Sequence, residues 1–355
     1  MAAVRRSVIP SRVPTQAARP RRPADTRRIR RRDVFAVLGA MLGGPAVWPR
    51  EVGAQPAAKP ARLGVLLYST PKGDPNLAAF LRALGDLGYV EGRNLTIEHR
   101  YAEGRPERLA TLAEELVRLK PDLLFTLGGD VTLLALPAAR TLPVLFTSSA
   151  DPVQLGFVAS LVRPGGNATG TTLLLDDLAS KRLEFLKEAA PHIARVAFVW
   201  NPDHADNELR QAEQAAGPLG IEILPVALHG PDELDSVLAA ARGARPDALY
   251  LVSSRQTVRN IPRFVSFATD QRLPLAGGWG AWAQAGGLLT YGPNLSEMMR
   301  QTASLAVRIL NGAKPAELPV QQPTRFELIV NLRTAKTLGL TLPPTLLARA
   351  DEVIE

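Results

Sequence analysis

The feature that most constrains the fold is a regular alternation of continuously apolar segments with amphipathic helical segments after residue 60. Residues 62–68 form the first apolar run, and shorter runs of the same kind occupy residues 122–127 and 144–146. Between them, residues 76–87 and 106–119 place apolar side chains at helical spacing. Continuous apolar strands joined by helices indicate a parallel sheet that is covered by helices on both faces.

A second series of alternating segments follows the extended segment that ends at Thr172. A helix over residues 177–189 leads to a strand over residues 196–200. The alternation continues through a strand over residues 222–227 and a helix over residues 258–270 to a short strand near Leu275. Residues 286–292 then form one more strand before a long helix over 295–310. The chain is therefore predicted to be α/β, with two Rossmann-like lobes built on parallel sheets.

The positive charge of the chain is confined to its first residues. The net charge is +8, but residues 1–54 contain 12 of the 42 Lys and Arg residues and 3 of the 34 Asp and Glu residues. The remaining residues therefore contain 30 basic and 31 acidic side chains. A near-neutral body gives no sign of a nucleic-acid partner, because such proteins carry basic patches.

Residues 1–54 have the parts of an export signal. Arg31 and Arg32 precede Asp33-Val34-Phe35, an apolar run occupies residues 36–47, and Val52-Gly53-Ala54 is a small-residue cleavage site. We expect a twin-arginine signal that is cleaved after Ala54, a linker over residues 55–60, and a periplasmic protein. The alternative is a disordered basic arm with a chance apolar patch.

The sequence offers little for catalysis or metal binding. It contains no cysteine, and its four histidines are scattered without ligand spacing. No GxSxG motif surrounds Ser148, and Gly128-Gly129-Asp130 lacks the GK[ST] of a phosphate loop. We therefore expect no catalytic residue, no metal and no cofactor.

Residues at or beside the predicted strand ends form the candidate ligand site, because ligands of α/β proteins bind at the carboxyl ends of the strands. This set comprises Tyr68, Ser69, Gly128, Gly129, Ser148, Ser149, Asp151, Ser253, Ser254, Arg255, Gly278, Trp279 and Tyr291. Backbone N–H groups at the helix starts favour a ligand carboxylate.

Several of these residues have two interpretations. Asp151 precedes Pro152, so it either caps a short helix or pairs with a ligand amine. Arg255 either binds a second ligand carboxylate or is a solvated charge at a helix start. Trp279 either stacks on a planar ligand or is partly buried at the surface of its lobe. Gly128-Gly129 also fits an ordinary tight turn.

Four segments also carry a family resemblance. Residues 146–170, FTSSADPVQLGFVASLVRPGGNATG, resemble the DPV…GLV…PGGNVTG signature of a bacterial family of ABC-transporter substrate-binding proteins that includes tryptophan- and phenylalanine-binding members. LGDLGYVEGRN at 84–94, ILNGAKP at 309–315 and FELIVNLRTA at 326–335 are similar to further segments of the same family.

The resemblance implies the type 1 periplasmic binding protein architecture, in which a multi-strand hinge joins the lobes. Lobe I would comprise residues 61–166 and 287–325, and lobe II residues 167–286 and 326–355. Such a protein is not an enzyme. It would act as a monomer that closes on a small organic ligand, an amino acid or another carboxylate of apolar or aromatic body, and delivers it to a membrane permease.

Three other functions could be carried out by a protein with this architecture or with a site in this cleft. A sensor for a signalling system would use the same receptor without transport. A cytoplasmic transcription regulator would need a helix-turn-helix domain before lobe I, and residues 1–59 show an Arg-rich leader instead. An enzyme would need a base, a nucleophile or a metal, whereas the strand ends offer Ser, Thr, Asp and glycines.

Overall fold

Two separate sheets, one of five strands and one of seven, organise the part of the chain that the structure describes. This computed structural model describes residues 59–71, 74–173, 178–204 and 206–355. The predictions about residues 1–54, including the twin-arginine signal and its cleavage after Ala54, lie outside the described residues.

The five-stranded sheet is entirely parallel and has the order β2-β1-β3-β4-β5. Its strands are β1 (Ala61–Leu67), β2 (Leu95–Tyr101), β3 (Leu123–Leu127), β4 (Val144–Ser148) and β5 (Ala168–Thr172). Side chains of β1 alternate between two helical layers, with Leu63 and Val65 in one and Leu66 in the other. Both faces of this sheet are therefore buried, as the continuous apolar run predicts.

The seven-stranded sheet has the order β12-β11-β10-β9-β8-β6-β7, and β10 and β11 are its antiparallel pair. Its strands are β6 (Arg195–Trp200), β7 (Glu222–Ala227), β8 (Ala248–Leu251), β9 (Leu275–Gly277), β10 (Leu289–Pro293), β11 (Phe326–Asn331) and β12 (Glu352–Ile354). Two apolar clusters pack on this sheet, one of them containing Phe198 and Tyr250 and the other Val199 and Phe264.

Helices surround both sheets. They are α1 (Pro75–Asp86), α2 (Leu109–Arg118), α3 (Gly129–Ala135), α4 (Ala179–Ala189), α5 (Glu208–Ala216), α6 (Leu234–Gly243), α7 (Arg255–Arg259), α8 (Ile261–Asp270), α9 (Gly280–Gln284), α10 (Leu295–Leu310), α11 (Leu332–Leu338) and α12 (Pro344–Leu347). Short 3-10 turns occupy Pro106–Arg108, Gly217–Leu219, Pro231–Glu233 and Pro315–Glu317.

The chain passes between the two sheets three times, which forms the predicted multi-strand hinge. It leaves lobe I after β5, returns between β10 and α10, and leaves again between residue 321 and β11. Helix α10 packs with α1 in the core of lobe I through Met298, Met299 and Ala303. The predicted α/β class with two lobes of parallel-dominated sheets is confirmed.

The division between the lobes differs from the predicted one at two strands. Strand β5 was assigned to lobe II, but it pairs with β4 in the first sheet. Strand β10 was assigned to lobe I, but it pairs with β9 and β11 in the second sheet. Lobe I therefore includes β5, and the chain re-enters lobe I at α10. Apolar strands of either lobe have the same local pattern, so the sequence does not specify which sheet they join.

Two helices also differ from their predictions. The segment after Asp151 forms turns, because the Phe157 N–H donates to the Pro152 carbonyl, which departs from the helical repeat of four. The single helix predicted over residues 258–270 is divided at Asn260 into α7 and α8, and Pro262 lies in the first turn of α8, where its missing N–H costs no hydrogen bond.

Candidate functional site

A cavity of about 600 Å³ lies between the lobes, at the carboxyl ends of strands from both sheets. Its size falls within the range of about 300 to 1,000 Å³ that is usual for small-molecule sites. The apolar part of its lining comprises Leu67, Leu127, Leu173, Leu295, Met299 and Trp279. Trp279 packs against the cores of both lobes, so this apolar surface continues across the cleft.

The cavity brings together seven of the thirteen residues predicted to bind a ligand. They are Tyr68, Ser69, Gly128, Gly129, Ser149, Arg255 and Trp279. Each follows a strand, which is the position from which it was predicted. The other six do not line this cavity, and they are Ser148, Asp151, Ser253, Ser254, Gly278 and Tyr291.

Local hydrogen bonds occupy three of these six side chains. The Ser148 hydroxyl accepts from the Ala150 N–H and donates to the Ala150 carbonyl, both at 3.0 Å. Asp151 Oδ1 accepts from the N–H groups of Val153 at 2.8 Å and Gln154 at 3.3 Å, which is the capping role foreseen as its alternative. Ser254 caps α7 in a capping box with Thr257.

The other three contribute to packing within lobe II. Tyr291 lies against Phe185, with ring centroids 5.1 Å apart, and so faces α4 and not the cavity. Gly278 has no room for a side chain, because an added Cβ would lie 2.7 Å from both Ser253 Oγ and Arg182 Nη2. Ser253 is itself 1% exposed.

Two charged residues that sequence reasoning missed line the cavity without an ion pair within 4 Å among the described residues. Asp74 of lobe I caps α1, and its Oδ1 accepts from the N–H groups of Asn76 at 2.9 Å and Leu77 at 3.2 Å. Arg259 of lobe II ends α7, and its Nη1 donates to the Tyr68 hydroxyl at 3.3 Å. The Asp-Pro pair at residues 74–75 is the same helix-start signal that drew attention to Asp151.

The remaining charges around the cavity are paired. Glu103 binds Arg105 and Arg108, and Asp130 binds Arg255. Hydrogen bonds from Arg108 and Arg105 lower the pKa of the Glu103 carboxyl, so this carboxyl stays ionised. Asp203 also lines the cavity, and its Oδ2 lies 3.3 Å from His229 Nδ1. Asp74 and Arg259, on opposite lobes, therefore remain for a ligand as a carboxylate and a guanidinium that have no ion-pair partner among the described residues.

Besides the contact between Arg259 and Tyr68, two sets of contacts join the lobes across the cavity. Arg255 of lobe II donates from Nε to Asp130 Oδ2 at 2.7 Å, and its guanidinium carbon lies 4.0 Å from the centre of the Tyr68 ring. The Ser149 hydroxyl of lobe I lies 3.0 Å from His204 Nε2 of lobe II. His204 Nδ1 lies 2.6 Å from Asp206 Oδ2, which orients the imidazole ring.

The residues that the structure describes contain no helix with the length and hydrophobicity needed to cross a membrane. The same part of the chain holds no group of three or more His, Asp or Glu side chains arranged to bind a metal ion.

Comparison with known proteins gives consistent matches over most of the chain. The profile of a family described as "ABC transporter substrate binding protein" matches residues 67–354. A tyrosine-binding protein of Clostridioides difficile is 25% identical over 276 residues, which cover 77% of this chain and 79% of that protein.

Solved structures show the same fold. A conserved domain protein from Vibrio cholerae is 26% identical with a TM-score of 0.77, and the match covers 83% of this chain and all of that one. An ABC domain from Streptococcus pneumoniae in complex with L-Trp is 23% identical with a TM-score of 0.76, over 83% of this chain and all of that one.

Proposed function

The chain belongs to the family of ABC transporter substrate-binding proteins, and from this premise we propose that it is a periplasmic receptor for an aromatic amino acid. Membership confirms the resemblance predicted from the four sequence motifs. The members of this family are substrate-binding proteins and not enzymes, which agrees with the absence of a catalytic motif in the sequence.

The observation that carries the ligand proposal is the pair of opposite charges in the cavity, Asp74 and Arg259. A zwitterionic amino acid offers an ammonium group to the first and a carboxylate to the second. Each such charge-assisted hydrogen bond contributes about 1.5 to 3 kcal/mol. Because the two residues come from different lobes, a bound amino acid would hold the lobes together.

The apolar lining supports an aromatic side chain on the ligand. Leu127, Leu173 and Met299 provide aliphatic contacts, and Trp279 provides a flat surface on which an aromatic ring can stack. The C. difficile relative is a tyrosine-binding protein, which is consistent with a ligand of this class.

We also propose that the receptor acts as a monomer. It would deliver its ligand to an ABC permease in the inner membrane. The family match supports association with a transporter. Loss of aromatic amino-acid uptake in a strain that lacks this protein would support the importer role over the sensor role.

The ligand proposal is tested by native mass spectrometry and by titration with L-tyrosine, L-phenylalanine and L-tryptophan. Asp74→Asn keeps a side chain that caps α1 and removes only the charge, so it should weaken binding about tenfold or more. Arg259→Gln should weaken binding to a similar extent.

Asp151→Asn is the matched control, because Asp151 caps a turn outside the cavity. It should bind as the unmodified protein does. The charge assignment is contradicted if Asp74→Asn and Arg259→Gln also bind unchanged, and the ligand class is contradicted if none of the three amino acids binds.

A further inference from the structure

Four side chains from the two lobes interleave at one side of the cavity. Asp130 and Tyr68 come from lobe I, and Arg255 and Arg259 come from lobe II. Arg255 binds both oxygens of Asp130 through Nε and Nη2, while its planar face covers the Tyr68 ring at 4.0 Å. The Tyr68 hydroxyl donates to the Gly104 carbonyl at 2.7 Å and lies 3.3 Å from Arg259 Nη1.

The backbone of lobe I is shaped to admit both arginines. Gly128 has φ +116°, and a Cβ added there would lie 2.5 Å from Arg255 Nη2. Gly104 has φ +81°, and an added Cβ would lie 3.0 Å from Arg259 Nη1. Glycine thus provides at both positions a conformation that L side chains rarely adopt and the space that the guanidinium needs.

Two of the five N–H groups of Arg255, one on Nε and one on Nη2, bind Asp130. The Arg255 guanidinium forms a bidentate pair with the Asp130 carboxylate, which is the geometry that guanidinium groups favour with carboxylates. Its apolar face is covered by Tyr68. A ligand carboxylate that bound the same two N–H groups of Arg255 would have to displace Asp130, whereas Arg259 has no carboxylate partner among the described residues.

We propose that Arg255 is a positioning residue that keeps the lobes closed over the ligand by binding Asp130 and Tyr68, without touching the ligand. We call Asp130, Tyr68 and Arg255 the interlobe latch. The latch also fixes the Tyr68 hydroxyl, which orients Arg259 toward the cavity. Opening the lobes separates Arg255 from both partners at once, so the latch resists ligand release.

This inference rests on the proposed function for the ligand used in the kinetic test. Arg255→Gln and Asp130→Asn should each raise the dissociation rate roughly five- to tenfold, which corresponds to one partly exposed ion pair with a cation–π contact. The association rate should change less than about threefold, because the ligand contacts themselves remain. The double variant should release ligand no faster than Arg255→Gln alone, because Arg255→Gln has already removed the contact with Asp130.

Arg263→Gln is the matched control. Arg263 binds Asp235 in an exposed ion pair that lies within lobe II, so its loss should leave both rates unchanged. Arg255→Lys keeps the charge but loses the planar fork, and it should release ligand faster than the unmodified protein. Additive effects of Arg255→Gln and Asp130→Asn, or a fall in association rate with dissociation unchanged, would overturn the latch.

A second readout needs no ligand. The chain contains no cysteine, so spin labels can be placed at Thr111→Cys on α2 of lobe I and Glu213→Cys on α5 of lobe II, which are both exposed positions. Arg255→Gln should change the distribution of distances between the labels in the ligand-free protein, whereas Arg263→Gln should not. Identical distributions for Arg255→Gln and the unmodified protein would overturn the latch. If no aromatic amino acid binds, the proposed function is contradicted. The measurement with spin labels would still test whether Arg255 holds the lobes together, because it uses the ligand-free protein.

Discussion

Replacement of Glu208 by Gln should destabilise lobe II strongly, because it removes the counter-charge of a buried arginine. The side chain of Arg182 is 0% exposed and that of Glu208 is 1% exposed, with Nη1 and Oε1 separated by 2.5 Å. Tyr250 donates to the same Glu208 oxygen at 2.5 Å, and Arg182 Nε donates to the Tyr291 carbonyl at 2.6 Å. These contacts join α4 and α5 to β8 and β10.

The magnitude follows from leaving a charge buried without its partner, which typically costs about 3 to 5 kcal/mol. Tyr250 cannot replace the lost carboxylate. Burial raises the pKa of Tyr250 well above its usual value, with Arg182 opposing and Glu208 adding to this effect, so the phenol stays neutral. The amide of the Glu208→Gln variant would keep one acceptor for Arg182 but no charge, which places the expected loss near ~3 kcal/mol.

The free energy of unfolding can be measured by urea denaturation and followed by tryptophan fluorescence, since Trp200, Trp279 and Trp282 all lie in lobe II. Glu184→Gln is the control, because Glu184 forms an exposed ion pair with Lys181 in the same lobe and should cost less than about 1 kcal/mol. A Glu208→Gln protein whose free energy of unfolding lies within about 1 kcal/mol of the unmodified value would refute the reasoning.

Two further predictions concern a buried hydroxyl network in lobe I and the leader. Thr147, Thr171 and Thr302 form a buried triangle of hydroxyl groups between β4, β5 and α10, with Oγ1 separations of 2.9 to 3.2 Å. Thr302→Val should lower the free energy of unfolding by about 1 to 2 kcal/mol, and the exposed Thr337→Val serves as control; equal effects of the two would contradict the network. Replacement of both Arg31 and Arg32 by Lys should leave precursor in the cytoplasm, as judged by fractionation and immunoblotting, whereas normal export would remove the twin-arginine assignment.

The alternation of apolar runs and amphipathic helices was sufficient to predict the two α/β lobes. Strand β7 and helix α10 begin and end at the predicted residues. The strand with which each strand pairs was harder to predict from the sequence. Leu289 and Tyr291 give β10 the same local pattern as a strand of lobe I, and only its pairing with β9 and β11 places it in lobe II.

Some residues of the candidate site could also be predicted from the sequence, and others could not. Residues that follow a strand directly, such as Ser69 and Gly128, reach the cavity because chain connectivity alone carries them to the sheet edge. Tyr291 also lies on a strand, but alternation turns its side chain toward Phe185. Asp74 and Arg259 lie in or beside helices, and they line the same cavity only because the lobes pack together, which no local pattern encodes.

The central claim, that the cavity recognises both charges of an amino acid, is tested most directly by isothermal titration calorimetry of the unmodified protein. L-tyrosine would be compared with tyramine, which lacks the carboxylate, and with 3-(4-hydroxyphenyl)propionate, which lacks the amine. The account predicts that L-tyrosine binds and that each analogue binds at least about tenfold more weakly, since each loses one charge-assisted contact. Binding of either analogue as tightly as L-tyrosine would contradict it.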